Sequence, residues 1–189
     1  MMKMRFVFAA VAGMCLASGA HAQAYVGGGL GMGKLNLDCA GTVNCDTSTT
    51  TGKVFGGYMF NEKFGIEGAA INFGKATAAV VVSGTPVGVD IEHKSLVLAL
   101  SARQEFSPTW SLVSRVGVAS NKATAVGRSG GFSASISEST VSFYGSIGVA
   151  YTINQNVSLE AAVESTTFKD PGNDKYGAYF GSVGLRYSF

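Results

Sequence analysis

The sequence predicts an all-β fold, an eight-stranded antiparallel up-and-down barrel that crosses a membrane. Three observations carry that reading: repeated strict alternation of apolar with small polar residues, connections that alternate between short and long, and a shortage of charge. Of the 189 residues, 47% are hydrophobic, only 14% are charged, and 26 are glycine. A soluble domain usually carries about 25% charged residues and about 7% glycine, so part of this surface is not built for water. The same numbers exclude a disordered chain, which is charge-rich and apolar-poor, and the glycines lack the three-residue period of collagen. Helical spans are excluded too, because each needs about 18 or more consecutive apolar residues and no stretch reaches that length.

The most apolar run, FVFAAVAGMCLA at 6–17, sits at the extreme N-terminus behind Lys3 and Arg5. A basic start, a short apolar stretch and an Ala-x-Ala site make a secretory signal peptide. With Ala20-His21-Ala22 as that site, cleavage is expected before Gln23, giving a leader over 1–22 and one barrel domain over 23–189. Cys15 falls in the discarded part, and Met14 before it is too bulky for a lipoprotein site. Lys3 and Arg5 are two of the 14 basic residues, so the mature chain holds 12 bases against 12 acids. The formal charge of +2 therefore belongs to the leader and gives no reason to expect nucleic acid as a partner.

From the C-terminus backwards the strands are clear. Tyr179, Gly181, Val183, Leu185, Tyr187 and Phe189 share one face, with Phe180, Ser182, Gly184, Arg186 and Ser188 on the other. The segments beginning at Val157, Phe143, Trp110 and Val97 repeat the pattern, as period-2 strands require. The glycine-rich 24–36, 51–60 ending in GGYMF, and 64–76 containing FGIEGAAINFGK complete a count of eight. Asn61-Glu62-Lys63, Ser107-Pro108-Thr109 and Asn154-Gln155-Asn156 read as tight turns. Segments around 37–50, 83–86, 127–139 and 169–177 read as long loops, and Pro86, Pro108 and Pro171 all fall in connections. Three short turns on one side and four long loops on the other suit an up-and-down barrel whose termini share the short-turn side. About 21 residues per strand and connection leaves room for the roughly 9–11 that a tilted strand needs to cross a bilayer.

Alternation alone does not say which face is outside, since a soluble lipocalin-like carrier alternates as well. The polar face is Gly, Ala and Ser with scattered charges rather than dense Lys and Glu, which suits the crowded lumen of a small barrel. Tyr58, Phe60, Phe64, Phe106, Trp110, Tyr151, Tyr187 and Phe189 gather at the short-turn ends, as the aromatic girdle of a lipid-facing barrel would.

With its signal peptide, the opening Tyr25-Val26-Gly27-Gly28-Gly29-Leu30-Gly31, the GGYMF and FGIEGAAINFGK hairpin and the closing Gly184-Leu185-Arg186-Tyr187-Ser188-Phe189, the mature chain resembles the OmpA-type eight-stranded barrels of Gram-negative outer membranes. The resemblance implies the outer membrane as location. It also implies outer-membrane lipid and lipopolysaccharide as surroundings, periplasmic chaperones and the outer-membrane insertion machinery as partners, and a monomer. Phe189, preceded by aromatic and apolar residues at alternate positions, is similar to the signal that machinery reads. The periplasmic peptidoglycan-binding domain of larger relatives is expected to be absent.

By the strand register Glu67, Arg103, Glu105, Arg115, Glu160, Glu164 and Arg186 point into the lumen, where charges must pair because an unpaired buried charge is costly. Such a network is expected to close the barrel and fix its register. The alternative is a polar plug that switches and admits ions. Cys39 and Cys45 are expected to pair in an oxidising compartment, ringing off AGTVN in the first long loop. No metal, cofactor or catalytic motif is expected. His93 and Ser95 invite comparison with lipid-hydrolysing barrels, yet both should face inward beyond the membrane. No Asn follows Ser95 as that enzyme family has it, so His93 reads as a lone surface histidine. The predicted function is a non-enzymatic barrel whose loops, such as the hydroxyl-rich GRSGGFSASISES, serve structural, surface-antigen or adhesive roles toward a host or surface ligand that the sequence does not name. The alternatives are a small porin-like channel for ions or polar solutes, and a lipid-modifying enzyme.

Overall fold

The computed structural model describes residues 23–35, 44–45, 48–82, 85–129, 132–169 and 175–189. All the elements described are strands: β1 Gln23–Leu35, β2 Asn44–Cys45, β3 Ser48–Met59, β4 Phe64–Val82, β5 Thr85–Glu105, β6 Trp110–Ser129, β7 Phe132–Thr152, β8 Val157–Lys169 and β9 Lys175–Ser188. The eight long strands pair antiparallel with their sequence neighbours, and β1 closes the ring by pairing with both β3 and β9. The two-residue β2 adds to β4 above the end of β3, with Asn44 opposite Ala79.

Each short turn is held by a side chain near its start. Asn61 Oδ1 accepts from the amides of Lys63 and Phe64 at 2.9 and 2.8 Å. Asn154 Oδ1 accepts from those of Asn156 and Val157 at 2.9 Å. Ser107 Oγ accepts from the Trp110 amide at 3.0 Å. These short polar side chains close a turn by standing in for a backbone carbonyl.

The strands are very unequal. β1, β3, β8 and β9 have 12–14 residues, whereas β4, β5, β6 and β7 have 19–21. Seven or eight extra residues at about 3.3 Å each raise β4 to β7 roughly 25 Å along the strands beyond their neighbours. The β6–β7 ladder runs unbroken from Trp110 opposite Tyr151 to Ser129 opposite Phe132. This corrects the reading of 127–139 as a long loop. Ser-Ala-Ser-Ile-Ser-Glu-Ser lacks an apolar face because the strand stands clear of lipid, and pairing with β6 satisfies one edge of its backbone. β4 likewise runs to Val82 and β5 starts at Thr85, so only 83–84 remain between them.

A bulge between Asn72 and Lys75 marks where β4 leaves the barrel. Gly74 takes φ of +75° there, a left-handed conformation that favours glycine. Its amide donates to Asn72 Oδ1 at 3.0 Å. Below this level an apolar belt faces outward, including Leu30, Val54, Leu96, Leu98, Leu100, Val116, Phe143, Val163 and Leu185. Phe60, Phe64, Phe106, Trp110, Tyr151, Tyr187 and Phe189 ring its short-turn edge, all exposed. Trp110 packs against Tyr151 at 5.0 Å between ring centres and Tyr187 against Phe189 at 5.2 Å. Phe189 is further fixed by its amide, which donates to the Ala24 carbonyl at 3.0 Å.

Candidate functional site

The lumen is filled in layers. At the short-turn mouth Arg103 is half-buried, reaching Thr152 Oγ1 at 3.4 Å and Glu105 at 3.8 Å. Glu105 is exposed there rather than inside, because it is the last residue of β5 and its side chain clears the rim; this corrects its placement in the buried set.

Above the mouth lies the charged layer. Arg115 on β6 donates to Glu67 on β4 at 2.8 Å and pairs with Glu160 on β8 at 2.6 Å. Strands β4 and β8 are four apart in either direction around the ring, so this bridge crosses the full lumen. Lys53 on β3 pairs with Glu164 at 3.0 Å and stands 3.7 Å from Glu67. Tyr25 donates to Glu67 at 3.0 Å, Ser182 to Glu164 at 3.0 Å, and Tyr144 makes a short hydrogen bond to Glu164. The Arg186 guanidinium lies 3.6 Å from the centre of the Tyr25 ring. Lys53, Arg115 and Arg186 thus face Glu67, Glu160 and Glu164, three charges against three, all less than a tenth exposed.

Lys53 is the member of this layer that the sequence does not reveal. Its parity with Thr49, Thr51 and Phe55 on the inward side is the available signal, but TTTGKVFGG shows no clean apolar alternation to bring it out.

A neutral polar layer follows. Ser95 donates a short hydrogen bond to Asn121, whose amide donates to Ser142 Oγ at 2.7 Å, Thr166 Oγ1 at 2.9 Å and the Thr167 carbonyl at 2.7 Å. Over it sit Phe73, Phe168 and Phe180, with ring centres 5.3 Å (Phe73–Phe168) and 4.9 Å (Phe73–Phe180) apart. His93 packs edge-on to Phe168 at 5.0 Å and is 0% exposed. His93 is therefore no surface histidine: the inward parity carries it under the aromatic cap. Ser95 and His93 are walled from lipid by the strands, and the Ser95 proton is engaged by Asn121, which leaves this pair poorly placed to meet a lipid substrate. Cys39, Ala20 and Ala22 lie outside the described residues, as does the side chain of Cys45.

Burial pushes the His93 imidazole down to about 4. The unfolded chain takes up this proton near its ordinary value of about 6.5, whereas the folded one resists until about 4. Stability present above pH 6.5 should therefore fall as the pH drops toward 4. Urea unfolding in micelles is expected to show a shallower loss over that window for His93→Gln; an identical slope would remove His93 from the account.

A closed antiparallel ring with a lipid-facing belt, an aromatic girdle and a packed polar lumen is the geometry on which comparison with known proteins bears. The sequence matches the family described as outer membrane protein beta-barrel domain over residues 6–189. The chain belongs to this outer-membrane β-barrel family. No curated protein sequence matches it. Among solved structures, this outer-membrane barrel is similar to neisserial surface protein A, with 15% identity, a TM-score of 0.66, and coverage of 89% of this chain and 99% of that one. It is also similar to Ail, the attachment invasion locus protein of Yersinia pestis, solved in complex with the heparin analogue sucrose octasulfate. There the identity is 16% and the TM-score 0.61, with the same coverage of both chains. A major outer membrane protein from Thermus thermophilus shares the barrel at 12% identity and a TM-score of 0.51, with 89% of this chain and 99% of that one covered. At these identities the likeness is one of fold. For an outer-membrane barrel the short turns and termini lie on the periplasmic side, and the tall β4 to β7 hairpins lie outside the cell.

Proposed function

We propose that this outer-membrane barrel is a non-enzymatic surface protein. Its closed lumen serves as an anchor, and the projecting β4 to β7 sheet is the part that meets the surroundings, in a structural, antigenic or adhesive role. The observation that carries this reading is the stack of a lumen-spanning ion network beneath an aromatic cap, in the same molecule whose four tallest strands continue outward as a paired sheet. Eight-stranded barrels have interiors just filled by side chains, and here three successive layers meet across the axis. Neisserial surface protein A and Ail carry the same fold, which suits a surface role; the reading rests on the lumen and the sheet. Cys39 and Cys45 would stiffen the first outer loop if paired.

Planar-bilayer recording of the purified full chain is expected to show no stable openings. In cells, a variant lacking 124–137 should remove the upper β6–β7 hairpin, keep the barrel in the outer membrane, and reduce attachment to a host-cell layer or matrix. Large persistent conductance of the intact protein would overturn the anchor reading in favour of a pore.

A further inference from the structure

The glycines of this barrel fall into two groups. Those facing the lumen are dictated by crowding: a Cβ on Gly29 would lie 2.8 Å from the Val183 carbonyl oxygen, and one on Gly184 2.5 Å from that of Gly28. On the outer face of β1, β3 and β4 the packing makes no such demand. A Cβ on Gly28 would have no neighbour nearer than 3.4 Å, one on Gly52 none nearer than 4.0 Å, and one on Gly68 none nearer than 3.9 Å. The first two of these positions help leave a trough of about 970 Å³ in the lipid-facing wall, floored by Gly28, Gly52 and Ala70 and bordered by Leu30, Val54 and Leu96.

The trough ends at its extracellular edge on Lys94 and Lys122. These two lysines are direct partners across the β5–β6 ladder, both exposed on the outer face. Like charges directly opposite one another destabilise a strand pair, and a local rule broken with only partial compensation points to function. Glu92 accepts from Lys94 at 3.3 Å and is shared with Lys75 at 3.2 Å, which leaves the group net positive. The hydrogen bonds from Lys75 and Lys94 hold the Glu92 carboxyl below the usual carboxylate range, so that balance persists at neutral pH. Among the described residues no carboxylate pairs with Lys122. Counting from the Ser107 turn, Leu96 and the residues below it use up the roughly 11 that span a bilayer, so the lysines stand at the headgroup level of the outer leaflet.

We propose that this trough and its lysine pair form a binding site for lipid A, with one acyl chain lying over Gly28 and Gly52 and a phosphate of the glucosamine headgroup held between Lys94 and Lys122. Each half of the site matches one half of such a molecule: an apolar slot in the lipid-facing wall, and two ammonium groups whose repulsion a phosphate dianion removes. The experiment is native mass spectrometry of the full chain in detergent micelles with bisphosphorylated hexa-acyl lipid A. A one-to-one adduct is expected, weakened at least tenfold by Lys94→Gln with Lys122→Gln and by Gly52→Leu, and unchanged by Lys63→Gln at the periplasmic turn. Removing both phosphates from the lipid should weaken it to the same degree. Heat-modifiable gel migration establishes that each variant is folded, and the lysine pair, being exposed, keeps the test alive if Gly52→Leu is not. Equal binding of the dephosphorylated lipid, or lysine variants that bind like the parent, would overturn the proposal. So would sucrose octasulfate bound by the same lysines with lipid A showing no preference; that result would assign the lysines to a sulfated glycan.

Discussion

Arg115→Ala is expected to cost this barrel about 3–5 kcal/mol, the range for removing one partner from a buried ion pair. The measurement is urea unfolding in micelles. Arg115 is 2% exposed and bridges Glu67 and Glu160 from opposite sides of the ring. Without it two cations face three carboxylates in a buried layer, and Glu160 loses its ion-pair partner. Restoring the balance should recover much of the loss, so Arg115→Ala combined with Glu160→Gln is expected to be more stable than Arg115→Ala alone. That non-additivity is what contact between two residues produces. Glu105→Ala, which removes an exposed carboxylate at the rim, should change little. An Arg115→Ala protein that unfolds at the parent's urea concentration would show that the charged layer is not what holds the lumen together.

Gly117→Val is the second large effect. Gly117 faces the lumen from β6, and a Cβ there would be driven onto the Leu98 carbonyl oxygen and stand 2.5 Å from Ala99 Cα, both backbone atoms of the paired strand. Backbone within a closed ladder yields less readily than the end of a side chain, so the cost is at least the ~1–3 kcal/mol typical of overpacking. It should appear as loss of the compact, fast-migrating band in unheated gels or as a lowered urea midpoint. Gly181→Val supplies the comparison, since a Cβ on that exposed β9 glycine meets nothing within 4 Å. If the two substitutions behave alike, crowding is not what keeps Gly117 small.

Much of this molecule is legible in its sequence because a strand's parity carries direction. Once Leu98 and Leu100 are assigned to lipid, Arg115, Glu160, Glu164 and Arg186 must point to the axis, and the structure places them there. Asn61, Ser107 and Asn154 marked the turns because their short side chains replace a carbonyl acceptor. Parity fails where the environment stops alternating. Glu105 has the inward phase yet clears the rim, and the hydroxyl-rich 135–139 of β7 are exposed on both faces, so burial no longer alternates with the sequence at either place. His93 failed for another reason: the cap that buries it comes from Phe168, 75 positions along the chain, and local spacing holds no trace of that encounter.

The step between tall and short strands gives the molecule a front and a back within the plane of the membrane. β7 pairs with β8 only from Gly145 to Thr152, so above that level its β8-side edge has no described strand beside it, while the other edge stays paired with β6. Ile136 and Glu138 share the parity of Tyr144 and look inward over the barrel mouth, while Lys94 and Lys122 look the opposite way. A neighbour arriving from one side therefore meets cations at headgroup height; one arriving from the other crosses a low sill and faces an open wall of serine, threonine and glutamate. Rotation about the membrane normal, which leaves a symmetric barrel unchanged, would decide for this one which surface a partner can reach.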